Sequence, residues 1–218
     1  MGYKAVIFDL DGTLLNTLED IAAAANRVLE TMNMPTHPLE AYRLFVGNGM
    51  KTLLTRILPE QQQKPPVIAE AVKCFQEDYS QHWNVKTSVY DGIEEMLDTL
   101  TEEEYPISIL SNKPDNFTRQ CVEQLLPKWT FWPLLGQRPD VPKKPAPQAA
   151  LEITDKLNLK PSEVLFVGDS SVDMKTASNA GLDAAGVLWG FRSEEELRNS
   201  GAEYIIVHPR ELIAVLNN

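Results

Sequence analysis

The stretch AVIFDLDGTL at residues 5–14 decides the fold, because a short apolar run passes directly into a turn with two acids. Such a run is typical of a strand buried on both faces of a parallel sheet. Residues two apart in an extended segment point the same way, so Asp9 and Asp11 would place two carboxylates together. Their repulsion requires a cation, a shared proton or a positively charged substrate to offset it. The stretch therefore predicts a reaction centre, although a solvated turn is the simpler alternative.

A second buried strand that ends in acids occurs in VLFVGDSSVD at residues 164–173. Asp169 follows this strand as Asp9 follows the first, and Asp173 either adds a ligand or holds the loop. Neighbouring parallel strands bring their carboxyl ends to one edge of the sheet, where open α/β folds bind ligands. Carboxylate oxygens suit Mg²⁺. The segment therefore predicts a magnesium site, and its Asp and Ser residues also favour a helix cap.

Positive charge and a hydroxyl follow other apolar runs. The run at residues 107–110 ends in Ser111, Asn112 and Lys113, and Lys144 lies in a proline-bearing loop. Each of these residues alone is more often a turn former or a solvated charge. Brought to one edge beside a carboxylate cluster, they would instead form a site for a phosphoryl group.

These segments, in this order, resemble the four motifs of the haloacid dehalogenase superfamily of phosphatases, which use an aspartate nucleophile. Shorter segments resemble the members of that superfamily that act on 2-phosphoglycolate; they are Val46-Gly47-Asn48-Gly49, Ser111-Asn112-Lys113-Pro114, Lys144-Pro145-Ala146-Pro147 and Trp189-Gly190-Phe191-Arg192. The resemblance covers nearly the whole chain. It implies a magnesium-dependent hydrolase of a small phosphate monoester.

The resemblance also implies roles for the acids. Asp9 would attack phosphorus and form an aspartyl-phosphate intermediate. Asp11 would protonate the leaving alkoxide and then take a proton from the water that hydrolyses the intermediate. Mg²⁺ would be held by Asp9, by the backbone carbonyl of Asp11 and by Asp169, with Asp173 as a further candidate ligand.

Phosphate oxygens would be bound by a hydroxyl, an ammonium and backbone amides. The resemblance assigns this role first to Ser111 and to Lys144, which would also support the charge on Asp9. Lys113 would add positive charge for an anionic substrate. Asn112 would contribute an amide of its turn, and Thr13 would bind phosphate or simply cap its turn.

Alternative functions stay open at this stage. The second acid, Asp11, favours phosphoryl chemistry over carbon–halogen cleavage, which has no alkoxide to protonate. A phosphosugar mutase or a pyrophosphatase of the same superfamily would keep the motifs. A phospho-receiver switch belongs to a different class, and both the DxDGT spacing at residues 9–13 and the long insertion after the first strand disfavour it.

A long insertion separates the first strand from the next, which arrives about ninety residues later, far beyond a normal crossover. Apolar residues between them follow helical spacing. We therefore expect a helical cap at residues 17–85 and a catalytic core at 1–16 and 86–218. Gly47 and Gly49 flank a turn ahead of a helix, where free N–H groups would bind a substrate anion; an ordinary helix start is equally consistent.

The fold class expected from these patterns is α/β, a doubly wound parallel sheet with an inserted α-helical cap. Helices would cover both faces of the sheet. Its strands are predicted at Tyr3 to Phe8, Tyr105 to Leu110, Val164 to Val167, Ala184 to Leu188 and Tyr204 to Ile206.

Composition limits the partners. A formal net charge of −11 disfavours nucleic acid and anionic membranes, and no apolar run approaches the length of a membrane span. The two cysteines lack zinc-ligand spacing, and the chain enters its first strand without room for a signal peptide. We expect a cytoplasmic monomer or homodimer whose partner is a small anionic phosphorylated metabolite.

Overall fold

The computed structural model describes residues 2–217 and contains a six-stranded parallel sheet. The strands lie in the order β5-β4-β1-β6-β7-β8, and β2 and β3 form a separate antiparallel pair. In chain order the strands are β1 (Ala5–Phe8), β2 (Leu15–Asn16), β3 (Ser88–Val89), β4 (Ile107–Pro114), β5 (Leu134–Gln137), β6 (Val164–Gly168), β7 (Asp183–Val187) and β8 (Tyr204–Ile206). The expected α/β class with a parallel sheet is confirmed.

Ten α-helices surround the strands within residues 2–217. They are α1 (Leu18–Thr31), α2 (Leu39–Phe45), α3 (Met50–Ile57), α4 (Pro65–His82), α5 (Ile93–Glu102), α6 (Asp115–Leu125), α7 (Gln148–Leu157), α8 (Ser171–Ala180), α9 (Glu194–Asn199) and α10 (Glu211–Leu216). Short 3₁₀ turns occupy Glu60–Gln62 and Pro161–Glu163. None of the helices in this described range is long and apolar enough to cross a membrane.

The central strand β1 contributes to two hydrophobic clusters because its side chains alternate between the faces of the sheet. Val6 and Phe8 belong to the larger cluster, whereas Ala5 and Ile7 belong to the smaller one, which includes residues of α7 and α8. All four side chains are fully buried. The buried strand β1 is therefore held firmly in the sheet, and it fixes the place where the acidic turn after it begins.

Strand β4 departs from the sequence prediction. The prediction ended this strand at Leu110, but the structure continues it to Pro114, so Ser111, Asn112 and Lys113 lie within a strand. The cause is a neighbour that the sequence analysis missed: β5 pairs with β4, with a register shift between Leu110 and Pro114. The edge strand β5 thereby orders residues that were expected to form a turn.

The four helices α1 to α4 lie between β2 and β3, and those two strands bring the junctions together. Leu15 pairs with Val89 in this antiparallel ribbon. Close by, the buried Asp20 of α1 accepts hydrogen bonds from the backbone N–H groups of residues 85–87, at 2.8 to 3.1 Å, and from the hydroxyl of Thr87 at 2.8 Å. One carboxylate therefore fixes the return of the chain against the first inserted helix.

Candidate active site

The first acidic turn begins where β1 ends. The backbone N–H of Asp9 donates to the carbonyl of Val167 at 2.9 Å, so the strand pairing fixes Asp9 beside β6. The Asp9 side chain is buried, whereas Asp11 is partly exposed. Gly12 adopts a φ of +88°, and a side chain there would collide with the carboxylate of Asp169. Glycine thus allows the two acidic turns to approach each other.

The second acidic turn follows β6 and is held by its own hydrogen bonds. Asp169 is buried, and its carboxylate accepts the backbone N–H of Phe191 at 2.7 Å. Asp173 closes a capping box on α8, since its Oδ2 accepts from the backbone N–H of Ser170 at 3.1 Å and from its hydroxyl at 2.6 Å. Carboxylate oxygens of Asp9, Asp169 and Asp173 lie within 4.8 Å of one another.

Lys144 lies inside this carboxylate cluster. Its ammonium is 2.6 Å from Oδ1 of Asp173 and 2.9 Å from Oδ1 of Asp9, and the side chain is 2 % exposed. Burial alone would lower the pKa of Lys144, but the carboxylates of Asp173 and Asp9 raise it above its ordinary value. The lysine is therefore a permanent positive charge beside Asp9.

One ammonium does not neutralise three buried carboxylates. Burial raises the pKa of Asp9 to about 7 despite the opposing effect of Lys144. Burial, followed by repulsion from Asp173 and Asp9, raises the pKa of Asp169 well above its ordinary value. Oδ1 of Asp9 is buried and contacts Nζ of Lys144 at 2.9 Å. The shortage of positive charge and the clustered carboxylate oxygens fit a divalent cation.

Asp11 lies apart from the three-acid cluster and has its own cation. Nζ of Lys113 donates to Oδ1 of Asp11 at 3.0 Å and to the hydroxyl of Tyr79, on α4, at 2.9 Å. Burial would lower the pKa of Lys113, but Asp11 and Tyr79 raise it well above its usual range. The predicted substrate-attracting charge of Lys113 is thus compensated by Asp11. The sequence analysis missed Tyr79, whose position beside Lys113 depends on the packing of α4.

The other predicted phosphate-binding side chains meet at the same edge. Ser111 is buried, and its Oγ accepts the backbone N–H of Lys113 at 3.3 Å. Thr13, in contrast, is fully buried, its hydroxyl has no hydrogen-bond partner, and it does not line the cavity that Asp9 and Ser111 share. The side-chain amide of Asn112 donates to the carbonyls of Gly47 and Lys144 at 3.0 Å each, so it braces two loops against each other.

The loop at residues 46–49 faces this edge, and Gly47 and Gly49 adopt φ angles of +112° and +81°. Its carbonyl groups bind the core. Arg192 donates to the carbonyl of Val46 at 2.8 Å, and Lys143 donates to that of Asn48 at 2.5 Å. The sequence analysis gave Lys143 no role and noted Arg192 only as a mark of resemblance, since a bond to a distant backbone carbonyl leaves no sequence pattern.

An open cavity of about 530 Å³ lies between the sheet edge and the inserted helices. Its walls include the ends of β1 and β4, helices α1, α3 and α4, and the loop at 46–49. The lining residues are Asp9, Asp11, Ile21, Val46, Gly47, Gly49, Met50, Leu53, Phe75, Tyr79, Ser111, Asn112, Lys113, Pro114 and Phe117. That volume includes open solvent, and about 50 Å³ of it admits the centres of water-sized molecules, so the enclosed part suits a small ligand.

A buried acid, an adjacent lysine and a cavity above the carboxyl ends of parallel strands define a hydrolase site on a doubly wound sheet. Residues 6–187 match the family of haloacid dehalogenase-like hydrolases. The chain belongs to this family.

Named relatives cover nearly the full chain. A phosphoglycolate phosphatase of Vibrio parahaemolyticus is 30% identical over 218 residues, which is 98% of this chain and 96% of that protein. A phosphoglycolate phosphatase of Pseudomonas putida is 31% identical over 214 residues, covering 96% of this chain and 78% of that protein.

Solved structures share the fold. A protein of Lactobacillus delbrueckii subsp. bulgaricus, itself assigned as a phosphoglycolate phosphatase by inference, superposes with a TM-score of 0.93 at 28% identity, covering both chains completely. CbbY of Rhodobacter sphaeroides, solved with phosphate, has a TM-score of 0.82 at 21% identity, covering 99% of this chain and 100% of that one.

Proposed function

We propose that this hydrolase cleaves phosphate monoesters through an aspartyl-phosphate intermediate on Asp9. The observation that carries the proposal is the Asp9 carboxylate itself, which is buried, contacts Lys144 and lines the cavity. A carboxylate at this position would attack phosphorus, and Lys144, 2.9 Å from its Oδ1, favours the ionised form that the attack needs. Covalent catalysis of this kind divides a difficult hydrolysis into two easier steps.

Mg²⁺ is the cofactor we propose for the acidic cluster. Asp9, Asp169 and the backbone carbonyl of Asp11 would hold it, and a bound Mg²⁺ would screen the negative charges of nucleophile and phosphate from each other. Both oxygens of Asp173 already have partners, Lys144 on one and Ser170 on the other. We therefore assign Asp173 to positioning Lys144 rather than to direct coordination.

Proton transfer belongs to Asp11 in this proposal. It lines the cavity two residues after the nucleophile, where it would protonate the departing alkoxide and later accept a proton from the attacking water. Lys113 lies 3.0 Å from the Asp11 carboxylate and so orients it. Since Asp11 balances the charge of Lys113 in the free enzyme, it would take up the proton that it donates when the anionic substrate binds. Ser111 and Lys144 would bind the oxygens of the transferring phosphoryl group.

Substrate selection is proposed for the inserted helices. Residues 17–85 would act as a cap over a core formed by residues 1–16 and 86–218, with Gly47 and Gly49 at the cap's contact with the substrate. Support comes from the cavity, which the cap segment and the ends of β1 and β4 line together. A cap at this position would exclude water from the intermediate.

2-Phosphoglycolate is the substrate we propose first, because relatives at about 30% identity carry the name phosphoglycolate phosphatase. The enzyme would meet this metabolite in the cytoplasm, as a monomer or homodimer. Its two free thiols, Cys74 and Cys121, suit a reducing compartment.

The decisive experiment measures phosphate release from 2-phosphoglycolate, glucose 6-phosphate, β-glucose 1-phosphate and pyrophosphate, with Mg²⁺ or with EDTA. We expect Mg²⁺-dependent release from a monoester, lost in Asp9→Asn and kept in the exposed control Asp155→Asn. Undiminished turnover by Asp9→Asn would contradict the mechanism. Conversion of one sugar phosphate into an isomer without release of free phosphate would indicate a mutase. A preference for pyrophosphate would indicate a pyrophosphatase, and a stably phosphorylated protein without turnover would indicate a switch.

A further inference from the structure

The cavity beside Asp9 and Asp11 is mainly apolar on the side away from those acids. Phe75 and Tyr79 of α4 and Phe117 of α6 form one aromatic wall. The other apolar side chains in the lining come from α1, from α3, from the loop at 46–49 and from the end of β4; they are Ile21, Val46, Met50, Leu53 and Pro114. An ester whose phosphate reaches Asp9 would place its alcohol part among these groups.

The aromatic wall is rigid. The rings of Phe75 and Tyr79 stack with centroids 5.2 Å apart, and Tyr79 meets Phe117 edge to face at 5.2 Å. The hydroxyl of Tyr79 accepts a hydrogen bond from the ammonium of Lys113 at 2.9 Å, which fixes the tip of the side chain, and the stack with Phe75 sets the plane of the ring. A preorganised apolar surface of this kind binds an apolar ligand at little cost in conformational entropy.

Free positive charge is scarce in the cavity. Among residues 2–217, Lys113 is the one cationic residue in the lining, and Asp11 compensates it at 3.0 Å. Lys143 and Arg192, on neighbouring segments, use their charged groups on the carbonyls of Asn48 and Val46. A carboxylate or polyhydroxyl group on the alcohol would therefore find few partners there, and burying it unpaired would be costly.

We infer that the enzyme hydrolyses a second class of substrate beyond 2-phosphoglycolate, namely phosphate monoesters of primary alcohols that carry an apolar group, branched alkyl or aromatic. This inference rests on the proposed function. Water is consumed, the phosphorus–oxygen bond to the alcohol breaks, Asp11 supplies the proton to the alkoxide, and the products are the alcohol and inorganic phosphate. The apolar group occupies the space that the two carbons of 2-phosphoglycolate leave unfilled.

The test uses primary alkyl phosphates, because their similar leaving groups leave pocket contacts as the main variable. Phosphate release is measured with Mg²⁺ from ethyl, 3-methylbutyl and 2-phenylethyl phosphate and from 2-phosphoglycolate. We expect kcat/KM to rise at least tenfold from ethyl to 2-phenylethyl phosphate, since one added methylene in an apolar pocket that fits it raises kcat/KM about tenfold or more. Equal kcat/KM along the series would overturn the inference while leaving the proposed function intact. No release from any ester would overturn both.

Variants assign the preference to the aromatic wall. Phe75→Ala is expected to lower the ratio of kcat/KM for 2-phenylethyl over ethyl phosphate about tenfold or more. Ile68→Ala, a large-to-small change at a buried position of the same helix outside the cavity lining, should keep the wild-type ratio. If Phe75→Ala does not fold, Met50→Ser tests the facing wall and should lower the same ratio. An unchanged ratio in a folded cavity variant would overturn the inference.

Discussion

Asp9 should make the metal-free protein less stable as the pH rises. Its side chain is 9 % exposed and lies in a cluster of three acids that contains one lysine. Ionising it inside the fold therefore costs free energy that the unfolded chain does not incur. The perturbation that isolates this cost is Asp9→Asn, which keeps the shape of the side chain and removes its ionisation.

The size of the effect follows from the pKa. Burial raises the pKa of Asp9 from 3.8 to about 7. A group whose pKa is raised by folding contributes stability that is fully present below its unfolded pKa and lost as the pH rises through its folded pKa. The window therefore runs from about pH 4 to about pH 7. At about 1.4 kcal/mol per pKa unit, Asp9 alone accounts for a loss of about 4 kcal/mol across it.

The assay is urea unfolding in EDTA at pH 5, 6, 7 and 8. We expect the wild-type chain to lose about 3 kcal/mol between pH 5 and pH 8 through Asp9, and Asp9→Asn to lose much less. Asp169 adds a loss in the same direction in both chains, because its pKa is also raised. The exposed Asp155→Asn control should follow the wild type. At pH 8, Mg²⁺ should raise the urea midpoint of the wild type and affect Asp9→Asn far less.

One result would refute this reasoning. If Asp9→Asn and the wild type in EDTA show the same pH slope from 5 to 8, the Asp9 carboxylate is already compensated in the absence of metal. The argument that the cluster lacks positive charge would then be wrong, whatever the activity of either chain.

Three further predictions concern separate contacts. Asp11→Asn should lower kcat about 10²- to 10⁴-fold in a steady-state phosphate-release assay, because no group then protonates the alkoxide; a loss under twofold would exclude this role. Lys144→Ala leaves buried carboxylates unpaired and should cost about 3–5 kcal/mol in urea unfolding at pH 8; a cost below about 1 kcal/mol would contradict the buried pairing. Asp20→Asn removes a charged acceptor of three N–H groups and should cost about 1.5–3 kcal/mol, whereas the exposed neighbour Glu19→Gln should cost little; equal urea midpoints for the two variants would refute the junction's importance.

Much of the sheet could be predicted from sequence because its central strands are continuous apolar runs. Residues 5–8 and 164–167 are such runs, and the structure places strands there. Strand β5 gave no such signal, since its four residues contain a glycine and a glutamine and lie at the sheet edge. The edge strand β5 forms by pairing with β4, and β4 in turn extends to Pro114 because it pairs with β5.

The acids of the site were predictable because each follows a strand that the sequence makes evident. Their partners were harder to predict. Lys113 lies within 3.0 Å of Asp11 although 102 positions separate them, and only the packing of α4 brings Tyr79 to the same lysine. The spacing of residues in the sequence shows which residues share a strand or a helix. The contacts of Lys113 with Asp11 and Tyr79 depend instead on how distant elements pack against each other.

The ribbon of β2 and β3, closed by Asp20, has an architectural consequence. The polypeptide leaves the sheet and rejoins it at adjacent points, so the helices between them form one excursion that starts and ends at the same place. The far side of this excursion also meets the rest of the chain, through the carbonyls of Val46, Gly47 and Asn48. A protein engineer who exchanges these helices would therefore have to keep two attachments: the carboxylate at position 20 with the N–H groups that donate to it, and the loop at 46–49.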